Sequence, residues 1–307
     1  MEQEEMAYPE FEEYINNQPH LKPLSVRTYK NQYITLRKYL DEFRSLEEKF
    51  LVSFILDLEK NGDPIDNVLL STNTLINYIT IIVQVRHYHS PDVNNNEELI
   101  KLRDKYKALK LRQKNIKNQT KLKGLPSKEQ LIHHMNMAFQ NGNWRDYIIL
   151  YLIVYYHTRN QDLDVALVSS IKQARNENYN YLVIKPSHVN FIRFKYKTRD
   201  RYGRKTFSIK AQKFREAINN FLEEMGGFQK DNEMLWLISV GSNKRLSPDS
   251  VAKWIRARTL DNISTNDYNK IIMSDAIDRN DAKLIEEISE RRGTSIQTLI
   301  TEYDLKI

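Results

Sequence analysis

A run of basic side chains near the middle of the chain has the plainest chemistry in the sequence. Ten lysines and arginines lie between Lys101 and Lys123, and the whole chain carries a formal net charge of +7. Such side chains neutralise phosphates and release the counterions that had screened them. The run is equally consistent with a strap along a phosphate backbone and with the solvated face of a helix that continues into a linker. Net charge alone permits a polyanionic partner without requiring one.

Several other chemistries lack the residues that they need. The chain has no cysteine, which excludes disulfides and thiolate chemistry. His87 and His89 flank a tyrosine and His133 and His134 are adjacent, spacings that do not put two imidazoles on one helix face. We therefore expect no metal site. The sequence contains no glycine-rich phosphate loop and no Gly-x-Ser-x-Gly turn, so nucleotide hydrolysis and serine-hydrolase chemistry are not expected.

Three short motifs occur in an order that does suggest a reaction. The first, Thr158–Leu163, follows an apolar segment and contains Arg159 and Asp162. The second comprises Phe194–Thr198, with Lys195 and Lys197, and the glycine turn before Lys205. The third begins at Gly293, with Tyr303 ten residues later. Together they resemble the motifs of the tyrosine recombinase (phage integrase) family, and divergent viral or mobile-element members above all, over about residues 24 to 305.

The resemblance implies phosphoryl transfer on DNA without a metal or any other cofactor. A tyrosine hydroxyl, here that of Tyr303, attacks a DNA phosphate and forms a 3′-phosphotyrosine that conserves the energy of the diester. Arg159 would hold the phosphate oxygens, with Asp162 supporting the turn around it. Lys197 would protonate the leaving sugar oxygen, and Lys195 is the alternative because the register of its hairpin is open.

The sequence departs from the family at its second motif, His-x-x-Arg. The best alignment puts Asn266 at the histidine and Asn269 at the arginine, and the family's later histidine or tryptophan falls on Thr294. Loss of the second arginine removes one cationic fork from the phosphate, which costs several kcal/mol, on the order of 3, of transition-state binding. The nearby cations that could replace it, none of them selected by spacing, are Arg256, Arg258, Lys270, Arg291 and Arg292.

The elements that must position these residues are mostly helical, with a small antiparallel sheet. Ser25 is the expected N-cap of a first helix, and Thr72–His87 and Asn96–Leu111 are expected helices. The predicted boundaries are an acidic segment 1–23, a helical DNA-binding domain 24–112, a basic linker 113–126 and a second domain 127–307. The family resemblance implies a SAM-like core-binding domain for the first domain and a catalytic-type domain for the second.

The second domain is predicted to open with a capping box at Ser127 and Gln130. An apolar helix follows over Asp146–Tyr156. Strands are expected at Tyr179–Ile184, Val189–Tyr196 and Lys205–Ile209. Further helices are expected at about Ala211–Met225, Ser250–Thr259, Asp267–Ala276, Asp281–Arg292 and Ser295–Glu302.

Three functions from different classes remain open on sequence alone. The first is a DNA strand transferase, and the second is a catalytically degenerate relative that binds DNA in genome packaging, replication or DNA architecture. The third is a helical interaction protein with no nucleic-acid role, which the acidic N-terminus and the amphipathic helices allow. The candidate DNA contacts are Lys30, Arg37, Lys38, Lys101, Lys105, Lys110, Arg112, Lys114, Lys117, Lys121, Lys123, Arg199, Arg201 and Arg204.

The expected partner is double-stranded or branched DNA, with DNA-induced self-association as a further option. No apolar run reaches the roughly 18 to 20 residues that a membrane helix needs, so no membrane contact is expected. The acidic segment Met1–Glu13 lacks the basic and apolar regions of a secretory signal. We therefore expect an intracellular protein, in the cytoplasm or nucleus of a host or in a virion, and not a secreted one.

Overall fold

The computed structural model describes residues 15–17, 21, 23–39, 47–62, 68–89, 96–122, 124–228, 234–240 and 244–303. It describes the backbone alone at residues 23–24, 88–89, 115, 117–122, 240, 248–249 and 302–303. The chain divides into two compact units between Lys117 and Asn118. Within the described ranges, no helix combines the length and the apolar character needed to cross a membrane.

The described part of the first unit is helical. The helices that begin in it are α1 (Pro23–Tyr39), α2 (Glu48–Asn61), α3 (Thr72–His89) and α4 (Glu97–Leu122). Their apolar stripes meet in one core that includes Tyr33, Leu36, Ile55, Ile79 and Tyr106. Helix α2 was not predicted. The expected N-cap at Ser25 is wrong, because α1 already begins at Pro23, where the fixed φ of proline suits a first helical turn.

Helix α4 extends through most of the basic run. It was expected to end near Leu111 and give way to a linker over 113–126, but its backbone is helical to Leu122. Polar, straight-chain residues such as lysine and glutamine keep good helix propensity without an apolar stripe. The absence of that stripe after Leu111 is why the sequence pattern did not show this part of the helix.

The second unit contains the remaining helices and the strands. They are α5 (Lys128–Gln140), α6 (Trp144–Tyr156), β1 (Val165–Val168), β2 (Asn180–Ile184), β3 (Val189–Arg193), α7 (Arg199–Tyr202), β4 (Lys205–Ile209), α8 (Gln212–Glu224), β5 (Leu235–Trp236), β6 (Ser239–Val240), β7 (Lys244–Arg245), α9 (Pro248–Arg256), α10 (Thr265–Asp278), α11 (Ala282–Arg292) and α12 (Ile296–Tyr303). The capping box that opens α5 is confirmed: Ser127 Oγ accepts from the amide of Gln130 at 3.2 Å, and Gln130 Oε1 accepts from the amide of Ser127 at 2.7 Å.

The fold class is confirmed as mostly helical with a small sheet. The main sheet has the order β4-β3-β2-β1-β5. The predicted strands β2, β3 and β4 pair antiparallel, whereas β1 pairs with β2 in parallel, so the sheet is mixed and not wholly antiparallel. Strand β1 escaped prediction because it is buried along its whole length and so shows no alternation of apolar and polar residues.

Candidate functional site

Helix α6 leads into the first motif, which directly precedes strand β1. Its apolar side chains fill the core of the second unit, and the helix ends at His157, whose backbone is left-handed with φ 52°. Burial, followed by the nearby cations of Arg291 and Arg292, lowers the pKa of His157 to about 3, so its imidazole is neutral at pH 7. The reversal at His157 turns the chain, and Arg159 follows two residues later.

Arg159 is tied at both its backbone and its side chain. Its amide donates to Asp162 Oδ2 at 2.8 Å, which closes the 3₁₀ turn Asn160–Leu163. Its Nη2 donates to Thr294 Oγ1 at 3.2 Å, so two of the predicted site residues are in contact. Its Nη1 is buried and has no hydrogen-bond partner among the described residues. One arm of the guanidinium is therefore held, and the other retains its donor capacity.

Asp162 also forms a buried ion pair with Arg193. Arg193 Nη2 donates to Asp162 Oδ2 at 2.7 Å, and both side chains are fully buried. The other arm of the guanidinium donates to the backbone carbonyl of Arg291. The centroid of the Tyr196 ring lies 4.8 Å from the guanidinium carbon of Arg193. Burial lowers the pKa of Arg193, and the negative charge of Asp162 offsets part of this shift. The pair links the Arg159 turn to the end of β3 and to the end of α11.

Lys195 lies two residues beyond β3 and faces a second carboxylate. Its Nζ is 3.1 Å from Asp164 Oδ2. Arg245 grips the same carboxylate, donating from Nε to Oδ1 at 2.8 Å and from Nη2 to Oδ2. Although burial raises it, the hydrogen bonds from Arg245 and Lys195 bring the pKa of Asp164 below its ordinary value. Asp164 is thus a carboxylate at neutral pH that holds two cations in place.

One cavity of about 480 Å³ collects several of the predicted site residues. It is lined by Arg159, Asn160, Gln161, Asp164, Lys195, Lys197, Val251, Thr265 and Asn266. Of these, Lys197 is exposed. The lining thus carries three cations and one carboxylate that is already bonded to Lys195 and Arg245. Such a surface suits an anion that accepts hydrogen bonds from two cationic side chains, because the cations outnumber the acid.

Tyr303 is the last residue of α12, and its side chain lies outside the described part of the structure. Its proposed role therefore stays a prediction.

The two asparagines at the second motif occupy different environments. Asn266 is exposed and lines the cavity. Asn269 is buried, and its Nδ2 donates to the carbonyls of Thr158 at 3.2 Å and Thr265 at 2.8 Å. Asn269 therefore fastens α10 to the backbone next to Arg159 and does not line the cavity.

None of the five cations considered as replacements for the second arginine is among the cavity-lining residues. Arg256 donates to the carbonyl of Asn262, and Arg258 stacks on Trp254 and pairs with an aspartate. Arg291 donates to a backbone carbonyl of α6, while Lys270 and Arg292 are buried. In the described structure these five side chains lie outside the cavity lining, so none of them is found beside Arg159 in that lining.

The candidate DNA contacts are mostly exposed. In α4 the side chains of Leu99, Leu102 and Tyr106 are buried, while Lys101, Lys105, Lys110 and Arg112 are exposed on the rest of the helix. Arg201 and Arg204 are exposed, and Arg199 pairs with Glu177. In α1, Lys38 is exposed and Lys30 and Arg37 are half-buried, as is Lys114 in α4. The side chains of Lys117 and Lys121, and Lys123 as a whole, lie outside the described residues.

Three residues near the cavity were not singled out from the sequence: Asn180, Arg193 and Arg245. The one available signal, for Asn180 and Arg193, was an amide or charged residue within a short apolar strand. The structure gives each of them hydrogen bonds to a segment that carries a cavity residue. Within the described ranges, no group of three or more histidine, aspartate or glutamate residues is arranged to hold a metal ion.

Comparison with known proteins gives little at the level of sequence. No protein-family profile matches the chain, and no curated protein matches it. Among solved structures, the crystal structure of XerA recombinase is similar with 12% sequence identity, covering 98% of this chain and 93% of that chain, at a TM-score of 0.38.

Proposed function

We propose that the chain binds double-stranded or branched DNA and cuts and rejoins its strands through a 3′-phosphotyrosine at Tyr303. The observation that carries the proposal is the convergence of Arg159, Lys195 and Lys197 on one cavity, although the first motif is far from the second in the sequence. A phosphate diester in this cavity would meet the guanidinium of Arg159 and the ammonium groups of Lys195 and Lys197, which all belong to its lining. Hydrogen bonds from these cations to a phosphate are charge-assisted and therefore stronger than those between neutral groups.

The covalent step exchanges one phosphoester bond for another. The Tyr303 hydroxyl loses its proton to solvent and forms a bond to phosphorus, and the bond from phosphorus to the 5′ oxygen breaks. That oxygen leaves with a proton from Lys197, or from Lys195 in the alternative register, and the DNA 3′ end stays on the tyrosine. Attack by a strand's 5′ hydroxyl reverses the sequence and frees Tyr303. Arg159 binds the charge that develops on the non-bridging oxygens, a contribution of roughly 3 kcal/mol for one such donor.

The second candidate is a relative that keeps the DNA contacts and has lost the chemistry. It would serve in genome packaging, replication or DNA architecture. The observation in its favour is the uncharged second motif: Asn266 lines the cavity without a charge, and Asn269 is engaged with backbone carbonyls. Among the described lining residues, Arg159 is the single arginine. The transition state would then lack one of the two forks that hold it.

Nicked duplexes of randomised sequence separate the two candidates. When cleavage occurs close to a nick, the short released strand diffuses away and the covalent adduct persists. We expect wild-type protein to give a slow-migrating adduct on a denaturing gel, and Tyr303→Phe to give none. Equal amounts of adduct from the two proteins would exclude transfer through Tyr303. Salt-sensitive binding without any adduct would support the DNA-binding relative, and absence of both would exclude both candidates.

The proposal also carries an expected location. A protein that acts on DNA works where that DNA is held, so we expect the chain inside cells, in the cytoplasm or nucleus of a host, or in a virion. Self-association on DNA is expected if two sites are joined, and it would be seen as a concentration-dependent second shift in a native gel.

A further inference from the structure

We propose that Asn180 is a positioning residue for the cavity, one that fixes the segment carrying Lys195 and Lys197 against the turn carrying Arg159. The inference rests on the proposed function, because it concerns how that site is held for chemistry.

Asn180 uses its full hydrogen-bonding capacity on these two segments. It is the first residue of β2 and is fully buried. Its Nδ2 donates to the carbonyl of Asp162 and to the carbonyl of Lys195, both at 3.0 Å. Its Oδ1 accepts from the amides of Phe194 at 2.9 Å and Lys195 at 2.8 Å. A carboxamide offers two donors and two acceptor sites, and all four are engaged here.

These bonds act at the place where the sheet stops controlling the backbone. The residue pairs of β2 and β3 end at Tyr181 and Ile192, and Phe194 and Lys195 lie beyond β3. Beyond that pair, the carboxamide of Asn180 takes the place of the β2–β3 interstrand hydrogen bonds and binds both the amide and the carbonyl of Lys195. The same carboxamide binds the carbonyl of Asp162, whose side chain accepts from the amide of Arg159. The backbone segments that carry Arg159 and Lys195 are therefore joined through the Asn180 side chain.

No other residue of similar size supplies this pattern. Aspartate offers acceptors but no donors when ionised, leucine offers neither, and alanine leaves four backbone groups without their partner. The ion pair of Asp162 and Arg193 remains in such variants and keeps the strand in place. We therefore expect replacement of Asn180 to shift the lysine segment relative to Arg159 more than it disturbs the fold. A shift on the order of 1 Å in a reacting group lowers a rate by about 10²-fold.

The test uses two forms of one nicked duplex, recovered from the randomised pool by its adduct with wild-type protein. One form has the ordinary 5′ bridging oxygen, and the other has sulfur at that atom. A thiolate leaves without a proton, so the sulfur substrate does not need a positioned lysine. We expect Asn180→Ala to cleave the oxygen substrate about 10²-fold more slowly than wild type, and to cleave the sulfur substrate at the wild-type rate. Asn180→Asp, which keeps the acceptors and loses the donors, should behave in the same direction.

Two control variants fix the interpretation. Arg159→Ala should remain slow on both substrates, because sulfur does not replace a phosphate ligand. Lys128→Met removes an ion pair between α5 and α10, away from the cavity lining, and should cleave both substrates as wild type does. If Asn180→Ala slows the two substrates equally, or slows neither, the positioning role is wrong.

A second measurement does not depend on cleavage. Inorganic phosphate is titrated into ¹⁵N-labelled protein, and the Lys195 amide and Arg159 Nε resonances are followed. We expect both to respond in wild type and only Arg159 to respond in Asn180→Ala. Identical responses in the two proteins, or no response in either, would overturn the inference. Absence of any covalent adduct in wild type, with the phosphate result as expected, would instead overturn the strand transfer and leave the positioning role standing.

Discussion

Replacing Arg193 with methionine should destabilise the second unit strongly. Both members of the ion pair with Asp162, which is made through Oδ2, are fully buried, and Asp162 Oδ1 has no hydrogen-bond partner among the described residues. Without the guanidinium, the buried carboxylate of Asp162 would keep the amide of Arg159 as a hydrogen-bond donor. The carbonyl of Arg291 would lose the donor that Arg193 supplies. Removing one partner from a buried pair costs about 3 to 5 kcal/mol. With a urea m-value of about 2 to 3 kcal/mol/M, the unfolding midpoint should fall by roughly 1 to 2.5 M.

Tryptophan fluorescence isolates this unit, because Trp144, Trp236 and Trp254 all lie in it. The matched comparison is the double variant Asp162→Asn with Arg193→Met, which has no buried charge to leave unpaired and still offers an oxygen to Arg159. It should recover most of the lost free energy of unfolding. A midpoint for Arg193→Met close to that of wild type, or no recovery in the double variant, would refute the argument that the pair is buried and coupled.

Three further outcomes follow from single contacts. His157 has a pKa of about 3 in the folded protein and about 6.5 when unfolded, so protonation favours unfolding and stability should decline as the pH falls from 6.5 towards 3. In His157→Asn, where asparagine suits the positive φ, the urea midpoint should decline less over that pH range, and an equal decline in the two proteins would contradict this. Gly293→Ala places a Cβ 3.0 Å from Thr198 Oγ1 at a φ of +64°, so the free energy of unfolding should drop by more than about 1 kcal/mol, and an unchanged thermal midpoint would refute the clash. Arg112→Ala should reduce the magnitude of the slope of log K against log salt by about 1, where K is the association constant for duplex DNA, whereas Lys60→Ala, outside the candidate contacts, should leave that slope unchanged. Equal slopes for wild type and Arg112→Ala would show that Arg112 does not contact the DNA.

Elements fixed by local sequence were predictable, and those fixed by distant contacts were not. The capping box at Ser127 and the apolar helix α6 depend on residues close in sequence, so their pattern is visible there. Strand β5 is two residues long and exists because β1 pairs with it, a contact that no short-range pattern contains.

The candidate site shows the same division. Arg159, Lys195 and Lys197 could be singled out because their motifs occur in family order. Arg193 and Asn180 could not, because a charged or amide residue in a short strand is ordinarily on its exposed face. Their burial depends on partners in the Arg159 turn and at the end of α11, which come together only in the folded unit.

Mass spectrometry of the trapped DNA adduct tests the central claim most directly. After nuclease and trypsin treatment, the peptide from Gly293 to Lys306 contains one tyrosine, Tyr303. The proposed reaction predicts a nucleotide phosphate on that tyrosine in wild-type protein and an unmodified peptide from Arg159→Ala. A phosphate on any other residue, or a peptide that is never modified when adducts form, would contradict the assignment of Tyr303 as the nucleophile.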